Sequence, residues 1–153
     1  MAVASGAAEH CAAAVALSAL LVACAPGDLP NVTVVLDGQS QTLKAAVTCT
    51  DQPDGALLIF AAPPNSRGKK LVRVLLSRDF RLVVHSVGIR LDDIAGFTDD
   101  SDALTATKVD DTYDIVGRMP PDAARADWLG FEIEVTCEAY VPAVTNVEPP
   151  PYP

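Results

Sequence analysis

The sequence predicts a mainly β protein: a single antiparallel β-rich domain, sandwich-like or a curved sheet, with at most one or two short helices and one closing disulfide. Three observations carry that prediction. Apolar and polar residues alternate with a period of two around Cys49 and again around Cys137. The dipeptides Asp37-Gly38 and Asp110-Asp111 each stand between two runs of strand-forming residues, the pattern of a tight hairpin. Aromatic residues make up only 5% of the chain while 50% is apolar, so the core must be built from Val, Leu, Ile and Ala. A length of 153 residues leaves room for one such domain.

The elements follow in order. VTVVL (Val32 to Leu36) is a first strand, and the Asp37-Gly38 turn leads from it into the strand that carries Cys49. There Leu43, Ala45, Val47 and Cys49 alternate with Thr42, Lys44, Ala46 and Thr48, which puts Cys49 on the apolar face. ALLIFAA (Ala56 to Ala62) is apolar on both faces and stopped by Pro63-Pro64, as suits a central strand. Leu71 to Leu76 fits helix and strand about equally by spacing, and its valines favour strand. In the next strand Val83, His85, Val87, Ile89 and Leu91 share one parity. An acidic loop, DDIAGFTDDSD, follows, and then ALTATKV and TYDIVGRM form the second hairpin. Pro120 to Leu129 reads as one or two helical turns with Trp128 packed inward. FEIEVTCEA closes the domain with Phe131, Ile133, Val135 and Cys137 on one face. The domain thus spans residues 32–140, and the tail 141–153 holds too much proline to join a sheet.

The N-terminal segment is of a different kind. CAAAVALSALLVA, residues 11–23, is an uncharged apolar run of 13 residues, well short of the roughly 20 that a membrane-spanning helix needs. Its length matches the hydrophobic region of a signal peptide, and Ala25-Pro26-Gly27-Asp28 ends it. Leu21-Val22-Ala23-Cys24 resembles the bacterial lipobox, in which the cysteine receives a diacylglyceryl group and the peptide is cut before it. Residues 1–23 are then a signal peptide, Cys24 the site of lipid (palmitate-type) attachment, and residues 24–31 a tether reaching about 20 Å. MAVASGAAEH has no Lys or Arg before the apolar run, which reads as a start further upstream or as inefficient export. An uncleaved or buried apolar helix is the competing reading.

Four cysteines sort accordingly. Cys11 leaves with the signal and Cys24 takes lipid, so Cys49 and Cys137 remain, and a pair left over in an exported protein reads as one disulfide. Closing a loop of about 89 residues stabilises a fold by on the order of 4 kcal/mol in the chain-entropy picture. Two buried free thiols are the alternative. Two cysteines and the one histidine of the mature chain do not fill a structural zinc site.

The series VVLDGQSQTLKAAVTCT, HSVGI, ALTATKVDDTYDIVGR and GFEIEVTCEA, with the lipobox upstream, resembles the mycobacterial nineteen-kilodalton lipoprotein antigen family over about residues 32–138. That resemblance implies a lipid-anchored protein of the cell membrane and envelope, on the extracytoplasmic face, with its two domain cysteines bridged. It also implies an antigen that meets host innate receptors through its acylated N-terminus, or an adhesin. Here the family's long Thr/Ser/Gly-rich linker is shortened to APGDLPN, and a proline tail follows the last cysteine.

Charge and chemistry narrow the function. Net charge is -9, and -8 once residues 1–23 with their one acid, Glu9, are set aside, so the domain is expected to have no general attraction for nucleic acid phosphates or anionic lipid surfaces. Arg67 to Arg90 holds seven basic residues against Asp79, and Asp92 to Asp114 holds eight acids against Lys108. These segments face a lipid headgroup or a protein partner, or else form a solvated or self-paired surface, which is the favoured reading. His85 and Ser86 are neighbours on a strand and point to opposite faces, so they do not form a nucleophile and base. The acidic loop around Asp99, Asp100 and Asp102 lacks the ligand ladder of a calcium loop, and no glycine-rich phosphate loop is present. The expectation is a non-enzymatic envelope lipoprotein with no cofactor and no metal, its partners the membrane and a host receptor. Its alternative is a carrier of envelope lipids or glycolipids in an apolar cavity left by the scarcity of aromatic residues.

Overall fold

The computed structural model describes residues 28–142. In chain order these form strands β1 (Asn31–Leu36), β2 (Gln39–Lys44), β3 (Ala46–Asp51), β4 (Ala56–Ala62), β5 (Lys70–Ser77), β6 (Val83–Leu91), β7 (Ile94–Thr98), β8 (Thr105–Val109), β9 (Thr112–Met119), β10 (Leu129–Thr136) and β11 (Tyr140–Pro142). A single 3-10 turn, Ser101–Ala103, is the one helical element among the described residues.

Two sheets face each other. The first has the order β2-β1-β10-β9-β8 and the second β11-β3-β4-β5-β6-β7. Neighbours pair antiparallel, save β11, which runs parallel to β3. Period-two alternation sends one side chain in two to the space between them. Val32, Val34, Ile115, Ile133 and Val135 come from the first sheet, and Leu57, Ile59, Val72, Val74 and Ile89 from the second. Each is fully or almost fully buried, and burying a side chain of this size contributes about 1.5–3 kcal/mol.

The hairpins form for the reasons their turn residues suggest. Asp37 and Gly38 both take positive φ, at 45° and 81°, the backbone twist a two-residue turn between β1 and β2 requires. Asp110 does the same at 53° between β8 and β9. The Asp37 side chain also accepts a hydrogen bond from the Gly130 N–H at 2.9 Å, which ties the first turn to β10. Gly117 in β9 marks a close approach: a Cβ there would collide with the Leu104 side chain and lie 2.9 Å from Phe131 Cζ.

Several expectations change. The strand expected to run from Thr42 through Cys49 is two strands, because the chain crosses from the first sheet to the second at Ala45, where its N–H donates to Pro30 O at 3.1 Å. Parity is kept across that corner, so the alternation conceals it. Within the acidic loop Ile94–Thr98 is a strand, and Asp92-Asp93 is the hairpin turn before it. Leu75 pairs with Ser86 and Leu76 with Val84, leaving His85 as the extra residue of a β-bulge. The bulge reverses parity, so Val84 joins Val87, Ile89 and Leu91 in the core while His85 is exposed. Pro120 to Trp128 forms turns around the Asp122–Arg125 bridge instead of helix, and Leu129 already opens β10. Trp128 points outward at 48% exposure, with Arg118 stacked 4.6 Å from its ring centre. Val141 and Pro142 do join a sheet, since β11 is an edge strand where a missing N–H costs little.

Candidate functional site

Cys24 and the residues Leu21, Val22 and Ala23 lie outside the described residues. What the structure places is the entry of the chain into the domain. Asp28, Leu29 and Pro30 precede β1, and Pro30 borders an open cleft of about 200 Å³ together with Val47, Thr48, Cys49 and Thr136. The chain therefore enters the domain beside β3, at the corner where the sheets meet.

That corner is covalently closed. Cys49 in β3 and Cys137, one residue beyond β10, form a disulfide with a Cα–Cα distance of 5.8 Å. Both are 1% exposed, and the bond joins the two sheets. Cys137 N–H donates to Asp111 O at 2.8 Å, which fixes the β8–β9 turn to the same point.

A polar cluster lies against the bridge. Tyr140 is the register partner of Cys49 across β11 and β3. Its hydroxyl donates to Asp111 Oδ1 at 3.2 Å and lies 3.2 Å from the buried Tyr113 hydroxyl. Arg78 ion-pairs with Asp51 and sits 5.1 Å from the Tyr140 ring centre. The hydroxyls of Thr112 and Thr136 meet at 2.8 Å on the neighbouring pair of strands. Sequence reading missed this cluster, though a tyrosine three residues after Cys137 and an Asp-Asp turn were its visible parts.

Burial, the hydrogen bond with Tyr113 and the charge of Asp111 push the Tyr140 phenol well above its ordinary value of 10.0. The folded chain therefore holds a proton that the unfolded chain releases at about pH 10, and the stabilisation is complete below that pH and lost above it. Denaturant unfolding from pH 8 to 11 should show stability falling more steeply above pH 10 in the wild type than in Tyr140→Phe. Parallel curves would refute this assignment.

The other candidates separate. His85 is exposed on its bulge and Ser86 is half-buried, and among the described residues neither side chain is hydrogen-bonded to the other. Asp100 caps the 3-10 turn through Asp102 N–H at 3.3 Å, which makes that acidic stretch a turn. No group of three or more His, Cys, Asp or Glu side chains fit to hold a metal occurs among the described residues. Of the two charged segments, Lys70 and Asp92 pair at 3.0 Å, while Arg78 turns instead to Asp51. Between the sheets, Tyr113, Leu57, Ile59, Leu76 and Met119 are among the largest fully buried side chains. No described helix is long and apolar enough to cross a membrane.

A family model described as the Mycobacterium 19 kDa lipoprotein antigen matches residues 28–137, from the entry of the chain to the second bridged cysteine. Among curated proteins none matches.

Proposed function

The chain belongs to the Mycobacterium 19 kDa lipoprotein antigen family, and from that premise we propose that it is a non-enzymatic envelope lipoprotein anchored through acyl chains on Cys24. Its signal peptide is residues 1–23, and the disulfide-closed sandwich is held on the extracytoplasmic face of the membrane. The acylated N-terminus is also what host innate receptors engage, and the folded domain is the antigenic or adhesive part. One observation carries the reading: the family match begins at Asp28, separated by three residues from the lipobox-like Leu21-Val22-Ala23-Cys24. Two or three acyl chains hold a protein at a bilayer stably, whereas one binds only marginally.

Carriage of envelope lipids in an internal cavity draws less support, because bulky side chains occupy the space between the sheets.

Peptide mass spectrometry of the membrane-bound chain tests the anchor. It should find Cys24 as the N-terminal residue, carrying a diacylglyceryl group, and lipase treatment should abolish signalling in a lipoprotein-receptor reporter cell. An unmodified Cys24 still joined to Ala23 would refute the proposal.

A further inference from the structure

The two outer faces of the sandwich differ in character. On the first sheet Glu132, Glu134 and Asp114 project outward from β10 and β9. On the second sheet the outward row at mid-height is Thr48, Phe60, Arg73, Gly88 and Phe97, read across β3 to β7 from the register of the strands. Phe60 is 39% and Phe97 54% exposed, although an aromatic ring on a solvated strand gains nothing from water. Phe97 leans over Gly88, where an added Cβ would lie 3.8 Å from its ring. Leu58, Leu71 and Leu75 fill the rows on either side and are half-buried.

Cations frame this apolar surface. Arg73 and Arg90 project from β5 and β6, and Arg90 reaches back to Gly68 O at 3.4 Å. The β4–β5 turn that holds Arg67 and Lys69 is thereby drawn alongside the face. Among the described residues no ion pair engages any of these four cations. Outward strand positions of this sheet from β3 to β7 carry no acid. Asp122, already paired with Arg125, is the acid that borders the cleft beside Phe97 and Arg90. In a chain of net charge -9 such a face is a local reversal of sign.

We infer that the outer face of the second sheet rests on an anionic lipid surface. Its arginines and lysine meet phosphate and carboxylate headgroups, and Phe60 and Phe97 seat at the boundary with the acyl chains. Phenylalanine rings that bury into the headgroup–acyl boundary beside long basic side chains are the combination found on surfaces that lie at that depth. The entry of the chain agrees with this orientation, since Pro30 lies beside Thr48, the first residue of the same outward row. The inference takes the membrane's proximity from the proposed Cys24 anchor, but the contact itself needs no acyl chain.

The test uses the full chain carrying Cys24→Ala, so that acylation plays no part, in sedimentation with vesicles of phosphatidylcholine alone or with one third phosphatidylglycerol. Binding should require the anionic lipid and fall as salt rises. Adding Arg73→Gln and Arg90→Gln should weaken it by about 25-fold, at roughly five-fold per cation near an anionic surface. Phe60→Ser with Phe97→Ser should weaken it further while leaving unfolding curves close to those of the parent. Residues 1–23 are common to every arm, so any attraction they have for lipid cancels in the comparison. Equal partition of parent and variants, or equal binding to both vesicle types, would overturn the inference. So would a dimer in the absence of vesicles that the same substitutions dissociate, because a second copy would then be the occupant. Loss of palmitate labelling bears only on the anchor, so the two ideas fail separately.

Discussion

Replacing Cys49 and Cys137 together by alanine should lower the stability of the domain by on the order of 4 kcal/mol, from the lost constraint on an unfolded loop whose ends are 88 positions apart. For a domain of this size that corresponds to a fall in Tm of about 10–20 °C. The fold itself should survive, because both sheets retain their ladders and the inward rows of Val, Leu and Ile are untouched. Circular dichroism at low temperature should be near that of the wild type while the thermal midpoint drops. Non-reducing against reducing mass analysis should show a difference of two hydrogens in the wild type alone. A midpoint within about 2 °C of the wild type would mean that the unfolded chain is already compact without the bridge.

Cys24→Ala has the largest effect expected on location. Each buried CH₂ of an acyl chain contributes about 0.8 kcal/mol to membrane binding, so removing every chain at once removes nearly all of it. Palmitate labelling should vanish, and the protein should move from the membrane pellet to the high-salt supernatant. A residual fraction that returns at low salt is what the basic and aromatic face of the second sheet would contribute. Unchanged labelling would refute acylation at this cysteine.

Much of the fold is legible in the sequence because the signals involved are local. Asp37-Gly38 specifies a turn by its own backbone preferences, and the FEIEVTC alternation needs only a single buried face to hold it. The departures come where the outcome depends on residues far away. Ala45 leaves one sheet for the other without breaking parity, and nothing in KAAV announces it. His85 becomes a bulge because β5 passes alongside it, so the reversal of parity at Val84 belongs to the pairing of two strands and not to either one. Ile94–Thr98 is short and set among aspartates, yet it extends the second sheet because β6 offers it an open edge. The Tyr140 cluster assembles from four segments, at Asp51, Arg78, Asp111 with Tyr113, and Tyr140, which no window of sequence contains. The proposed anchor residues, Leu21 to Cys24, are the opposite case, a local motif outside the described part of the chain.

If the chain is anchored through Cys24 as proposed, the placement of the bridge has a mechanical consequence. Tension from the envelope would enter at Asp28 and load β1, an interior strand of the first sheet paired with β2 on one side and β10 on the other. Should β1, β2 and the start of β3 peel away, the pull reaches Cys49 and passes through sulfur directly to Cys137. The 50–136 segment is then short-circuited and carries none of the load, so stretching a single molecule from its N-terminal side would pay out only the chain ahead of Cys49 and beyond Cys137.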